Sequence, residues 1–249
     1  MGAKTTKRLL FLILTIGIIG VGAFFARKFQ VSRMAQSMVA RADQAEAAGN
    51  HSEAVDLYRQ HLAVVPNDIE VKIKYADALL KTGDTASIRG EALSVYNNVL
   101  TTEPDRNEIR RKLVELAVLL NQSEMVKANL TILLRQNPED GHLQYLLGKS
   151  QEVSKKNNEA VEAYKAAIKY SPENLDAYSK LADLLRHRMD RAKEADEVID
   201  SMVKARPDDY RVYLVRGRYR RLFDLAGANA DFEKTLQKNS KDPDVYVEL

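Results

Sequence analysis

The sequence contains no cysteine and no tryptophan. The first absence excludes disulfides, thiolate metal sites and a cysteine nucleophile, and it fits an oxidising or a reducing compartment equally. Glycine and proline are scarce, at 11 and 6 in 249 residues. Net charge is almost absent too. Lysine and arginine number 38 against 35 acidic residues, so composition carries no nucleic-acid footprint. There is no G-x-G-x-x-G, no Walker-type loop and no G-x-S-x-G. His51, His61, His142 and His187 form no HExxH pair and no i, i+3 or i, i+4 pair, which argues against a metal site. The acidic strings "PEDG", "PENLD" and "PDD" read as turn and cap residues rather than acid pairs. No catalysis, metal or cofactor is expected. Hydrophobic residues at 45% and charged residues at 29% point to a folded chain.

One long apolar run is present, "LLFLILTIGIIGVGAFFA" at 9–26, with Thr15 as its one polar residue. As a helix it would be about 27 Å long, close to the thickness of a bilayer's hydrocarbon core. Lys4, Lys7 and Arg8 precede it, and Arg27, Lys28 and Arg33 follow. We expect a single-pass transmembrane anchor over 9–26 behind a basic tail at 1–8. The competing reading is a cleaved signal peptide with Val21-Gly22-Ala23 as its site. The run is long for that role, and Phe24 and Phe25 continue it past the site. The basic flanks nearly balance. A short charged tail left in the cytoplasm would put the rest of the chain on the extracytoplasmic side of a bacterial inner membrane. Residues 27–34 lack proline and glycine and read as a helical linker.

Beyond the linker the prolines are regular. Pro66, Pro104, Pro138, Pro172, Pro207 and Pro243 are spaced by 38, 34, 34, 35 and 36 residues. Such punctuation signals an array. Between prolines, apolar residues fall at i, i+3, i+4 and i+7, in two segments per period separated by a polar break. One phrase recurs as "SEAVDLYRQHLAVVPND", "GEALSVYNNVLTTEPDR" and "NEAVEAYKAAIKYSPEN". Each copy places Ala, then an aromatic residue four positions on, then Pro.

This pattern resembles the tetratricopeptide repeat. The cleanest copy has Leu147-Gly148, Ala160, Tyr164, Ala167-Ile168 and Pro172. The first has Ala42, Gly49, Ala54, Tyr58 and Pro66; the second has Tyr75-Ala76, Gly83, Ala92, Tyr96 and Pro104, with four extra residues in its inter-helix turn. The third departs, with Val114 at the small position, Val126 in place of Ala and Leu130 in place of the aromatic. The fifth has Leu181-Ala182 and Ala195; the sixth has Gly217, Ala228 and Phe232. The bulky position early in each first helix is Met38, Lys72, Arg110, Gln144, Tyr178 and Tyr213, never tryptophan.

The resemblance implies an all-α fold, a right-handed α-solenoid of about six helix-turn-helix units; with the apolar run at 9–26 read as an anchor, one N-terminal transmembrane helix precedes it. The array would cover 35–249, with repeats at about 35–68, 69–106, 107–140, 141–174, 175–209 and 210–243 and the start of a seventh at 244–249. It also implies a scaffold that mediates protein–protein interactions through a concave groove. The alternative is the N-terminal repeat region of a larger enzyme, such as a glycosyl- or sulfo-transferase. Some family members clamp carboxylate termini with Lys and Asn. Here the matching positions carry Val39, Asp43, Lys74, Glu108 and Lys112, so that clamp is not reproduced.

In the repeat's geometry, positions 2, 5, 9 and 12 of each first helix face the groove. That would place Arg186, Arg211, Arg218 and Arg221 on one inner surface, as a candidate partner site for an acidic peptide segment or a carboxylate terminus. The blander reading is a solvated face balanced by Asp183, Glu194 and Asp224. Nucleic-acid binding is not expected, because no aromatic residues interleave with the bases on an open platform.

Overall fold

The computed structural model describes Gln30 and residues 33–239. The expected tail, anchor, most of the linker and the start of a seventh repeat lie outside the described residues. Every regular element among the described residues is a helix. None of these helices is long and apolar enough to cross a membrane. The helices are α1 (33–47), α2 (His51–Val64), α3 (Ile69–Lys81), α4 (Ala86–Thr102), α5 (Asn107–Leu119) and α6 (Ser123–Gln136). They continue as α7 (Gly141–Val153), α8 (Asn157–Tyr170), α9 (Leu175–Arg188), α10 (Ala192–Ala205), α11 (Tyr210–Arg220) and α12 (Leu225–Lys238).

The chain divides into two compact units, Met1–Ile109 and Arg110–Leu249, with the boundary inside α5. In the first unit α3 packs on α2 and on α4. In the second, α6 to α10 pack in sequence, and α11 lies against α9, α10 and α12.

The prolines do their work through the residue two places on. After Pro66, Pro138, Pro172 and Pro207 the caps of α3, α7, α9 and α11 are Asp68, Asp140, Asn174 and Asp209. Each side chain accepts a backbone N–H of its own first turn, at 3.2, 3.0, 3.2 and 3.1 Å respectively. Such a cap contributes about 1 kcal/mol.

The turns into the second helix of a pair work differently. The residues before α2, α6, α8 and α10 (Asn50, Gln122, Lys156 and Arg191) make no side-chain cap bond. Instead the preceding residue is left-handed: Gly49 (φ 79°), Asn121 (φ 54°), Lys155 (φ 58°) and Asp190 (φ 55°). The next N–H then reaches five residues back, from Asn50 to Ala45 O (2.8 Å), Gln122 to Ala117 O (2.8 Å) and Lys156 to Gln151 O (2.9 Å). This is the Schellman closure, and it satisfies the carbonyls at the end of one helix while the next begins. The four extra residues expected in the α3–α4 turn go mostly elsewhere. The connection is only 82–85, and α4 is 17 residues long where α2 has 14.

Packing within a pair is a fit between one small and one large side chain. A Cβ added to Gly148 would lie 2.5 Å from the Tyr164 ring, and one added to Gly217 would lie 2.4 Å from Phe232. Ala42, Ala76 and Ala182 hold the same position elsewhere and are fully buried, as are Tyr96 and Tyr164. The third repeat inverts the sizes, and its Val114 and Leu130 are both fully buried. Its departure from the pattern is a compensated exchange of volume.

The tyrosines do more than fill space. The Tyr58 hydroxyl donates to Asp43 Oδ1 (2.6 Å) and that of Tyr164 to Glu152 Oε2 (2.8 Å), and Tyr96 donates to Asp77. Each ties the second helix of a pair to a carboxylate on the first. Burial raises the Asp43 carboxyl, but bonds from Lys74 (2.8 Å) and Tyr58 outweigh it and hold the group below its ordinary value.

Candidate functional site

In the second unit, α9 and α11 lie side by side and leave a groove between them. Two helical turns are about seven residues, so residues seven apart share a face. On α9 that face carries Asp176, Ser179 and Asp183. On α11 it carries Arg211, Leu214 and Arg218. A cavity of about 480 Å³ is lined by Asp176, Tyr210, Arg211, Leu214, Val215 and Arg218, among others. A second, of about 200 Å³, is lined by Asp176, Ser179, Asp183, Val215, Arg218 and Tyr219. The two share Asp176, Val215 and Arg218, and together form one trough. Beneath it lies a core that includes Tyr178, Leu181, Leu185, Val212 and Tyr213. Tyr178 and Tyr213, at the bulky early position of their helices, are therefore packing residues, and the Tyr213 hydroxyl donates to Pro207 O at 2.8 Å.

Arg211 and Arg218 line the trough together. Arg211 forks onto its own helix cap, with Nε on Asp209 Oδ1 at 2.9 Å and Nη2 on Oδ2 at 2.8 Å. This bond holds the Asp209 carboxyl below its ordinary value. Arg186 and Arg221 are not among the lining residues of either cavity. Arg186 lies against the underside of Tyr219. Its Nε donates to the Tyr219 hydroxyl at 2.8 Å, its Nη2 reaches Asp196 at 2.5 Å, and it stacks 3.7 Å over the Phe223 ring. Burial pushes the Tyr219 phenol up to about 12. Arg221 follows the last residue of α11, with its backbone N–H on Gly217 O at 3.0 Å.

The opposite wall was not singled out by the sequence. The carboxylates of Asp176 and Asp183 make no hydrogen bond or ion pair with any described residue. Loss of solvation raises the Asp183 carboxyl above its ordinary value, with Lys180 and His187 opposing. The signal was available, because positions 2, 5, 9 and 12 of α9 are Asp176, Ser179, Asp183 and Arg186.

Among the described residues no group of three or more His, Cys, Asp or Glu is placed to hold a metal. The trough offers charged side chains of both signs over an apolar floor of Leu214 and Val215. Its chemistry is that of binding by ion pairs and hydrogen bonds.

Residues 154–219 match the family model of the tetratricopeptide repeat. A comparison with curated proteins found no match. Among solved structures the chain is similar to MamA from Desulfovibrio magneticus RS-1 (residues 41 to the end). That structure shares 20% identity over 69% of this chain and 94% of its own, with a TM-score of 0.60. A crystal structure of MamA matches over 71% of this chain and 94% of its own, with 16% identity and a TM-score of 0.62. MamA AMB-1 matches over 70% and 92%, with 19% identity and a TM-score of 0.57. These likenesses establish the fold: stacked helix pairs of the tetratricopeptide kind.

Proposed function

We propose that this chain, which carries tetratricopeptide repeats over 154–219, is a single-pass membrane-anchored scaffold. It holds a segment of a protein partner in the α9–α11 trough and performs no catalysis of its own. One observation supports this most: the trough is built from positions that packing leaves unused. Ala177, Tyr178, Leu181, Ala182, Leu184 and Leu185 of α9 are buried, while Asp176 and Asp183 face outward. The repeating residues make the fold, and the residues between them are left to choose a partner. Arg211 and Arg218 supply anion-binding groups for that partner. The anchor rests on the uncharged run at 9–26, and the basic tail before it favours repeats on the extracytoplasmic side of a bacterial inner membrane.

The test is site-specific photocrosslinking in membranes of the full chain. A photoreactive residue at Ser179 should trap a distinct protein species that a probe at exposed Lys169 on α8 does not trap. Arg211→Glu with Arg218→Glu should reduce that product at unchanged helical content. Equal products from both probes, or a product indifferent to the two arginines, would count against the trough. Protease added to spheroplasts should digest the repeats; protection would reverse the orientation.

A further inference from the structure

Two rows of opposite charge face each other across the trough. Asp176 and Asp183 stand seven residues apart on α9, which is about 10.5 Å along the helix. Arg211 and Arg218 stand seven apart on α11, with the same spacing. Arg211 already shares its charge with Asp209, whereas the carboxylates of Asp176 and Asp183 make no hydrogen bond or ion pair with any described residue. The trough therefore presents an acidic wall at least as open to a partner as its basic wall. An all-acidic segment would satisfy Arg211 and Arg218 but press carboxylates against Asp176 and Asp183, and like charges at close range oppose one another.

An extended segment resolves this conflict. It rises about 3.3 Å per residue and sends successive side chains to opposite sides. Laid along the trough, it offers every second residue, about 6.6 Å apart, to α9 and the others to α11, and the long Lys, Arg and Glu side chains take up the difference from the roughly 10.5 Å between the charges on each wall. We propose that the partner segment alternates basic and acidic residues, with Lys or Arg toward Asp176 and Asp183 and Asp or Glu toward Arg211 and Arg218. This rests on the reading that the trough holds an extended protein segment, and it names the chemistry of that segment.

The experiment uses three dye-labelled eight-residue peptides: alternating Lys and Glu, all Glu, and all Lys. Binding to the full chain in detergent micelles is read by fluorescence anisotropy. The alternating peptide should bind at least fivefold more tightly than either uniform one. Asp176→Asn with Asp183→Asn should erase its advantage over all Glu. Arg211→Gln with Arg218→Gln should erase its advantage over all Lys. All four side chains are on the surface, and circular dichroism checks that each variant keeps its fold. If all Glu binds the unaltered chain as tightly as the alternating peptide, and weakens on loss of the arginines, the alternation is overturned while the trough stands. If no peptide binds and the Ser179 probe traps nothing, both fall.

Discussion

Replacing Gly148 with alanine adds a single methyl group to α7, at a point where the structure leaves no room for it. The methyl would sit 2.5 Å from Cδ1 and Cε1 of Tyr164, about 1 Å inside ordinary carbon contact. The ring cannot swing aside easily. It is fully buried, lies 6.0 Å from the Tyr145 ring, and has its hydroxyl bonded to Glu152 at 2.8 Å. Overpacking of this kind costs about 1–3 kcal/mol. Exchanging glycine for alanine inside a helix returns about 1 kcal/mol. The net expectation is a loss of about 0–2 kcal/mol. Gly90 supplies the control, because it lies within α4 and a Cβ there would meet nothing within 4 Å. Gly90→Ala should gain about 0.5–1 kcal/mol. The propensity term is common to both, so their difference, about 2 kcal/mol, measures the clash alone. The assay is urea unfolding followed by far-ultraviolet circular dichroism, with hydrogen exchange of α3–α4 and α7–α8 read separately. Adding Tyr164→Leu should recover much of the Gly148→Ala loss, as the Val114 and Leu130 exchange suggests. Equal stabilisation by both alanines would refute the argument that these helix pairs are set by a rigid fit.

Three further outcomes follow from other features. Asp231 is almost fully buried and takes Arg216 at 2.6 and 2.8 Å and Arg220 at 3.1 Å. Asp231→Ala would leave both guanidiniums with only the half-exposed Asp200, at 3.1 and 3.5 Å, and should cost about 3 kcal/mol, the lower end for a broken buried pair; a loss under about 1 kcal/mol would show the network to be dispensable. Lys155→Gly should raise stability by about 0.5 kcal/mol, since it relieves a left-handed residue but loosens the unfolded chain; a fall would mean the lysine side chain matters more than its backbone. The Glu115–His142 contact (3.2 Å) holds the carboxyl below its ordinary 4.5 and the imidazole above its ordinary 6.5. Its stabilisation is therefore full between those two values. It fades as pH rises through the raised His142 value or falls through the lowered Glu115 value. A proton NMR titration should put His142 above 6.5, and Glu115→Gln should bring it down; an unmoved midpoint would remove Glu115 as the cause.

The fold was legible in the sequence where a residue's type is dictated by its place. Proline followed by Asp or Asn two positions on marks a turn and a cap, and alanine or glycine facing an aromatic residue marks a close helix crossing. The Schellman turns were hidden. Their left-handed position is usually announced by glycine, but only Gly49 announces it, and Asn121, Lys155 and Asp190 bear the strain silently. The tyrosine hydroxyl ties were hidden too, because Asp43, Asp77 and Glu152 look like ordinary surface acids until the packing places them. At the candidate site, position counting reached Arg211 and Arg218. It grouped them with Arg186, which the structure places against Tyr219 and Phe223, because sequence position fixes a helix face but not what a long side chain does once there. Asp176 and Asp183 follow from the same counting, applied without regard to the sign of the charge.

The tyrosine ties span short stretches of chain: 15 residues from Asp43 to Tyr58, 19 from Asp77 to Tyr96 and 12 from Glu152 to Tyr164. Everything a pair needs for its own tie has been synthesised once its tyrosine has been added. Translation proceeds at about 5–20 residues per second, so a repeat takes seconds to emerge. Helices form within about a microsecond and non-specific collapse within about 100 microseconds. Each of these three pairs therefore has time to close its own tie before the next pair exists, while burial of its outer face waits for the neighbour that stacks on it. The ties can thus form in the direction of translation, and it is the stacking between pairs that depends on chain still to come.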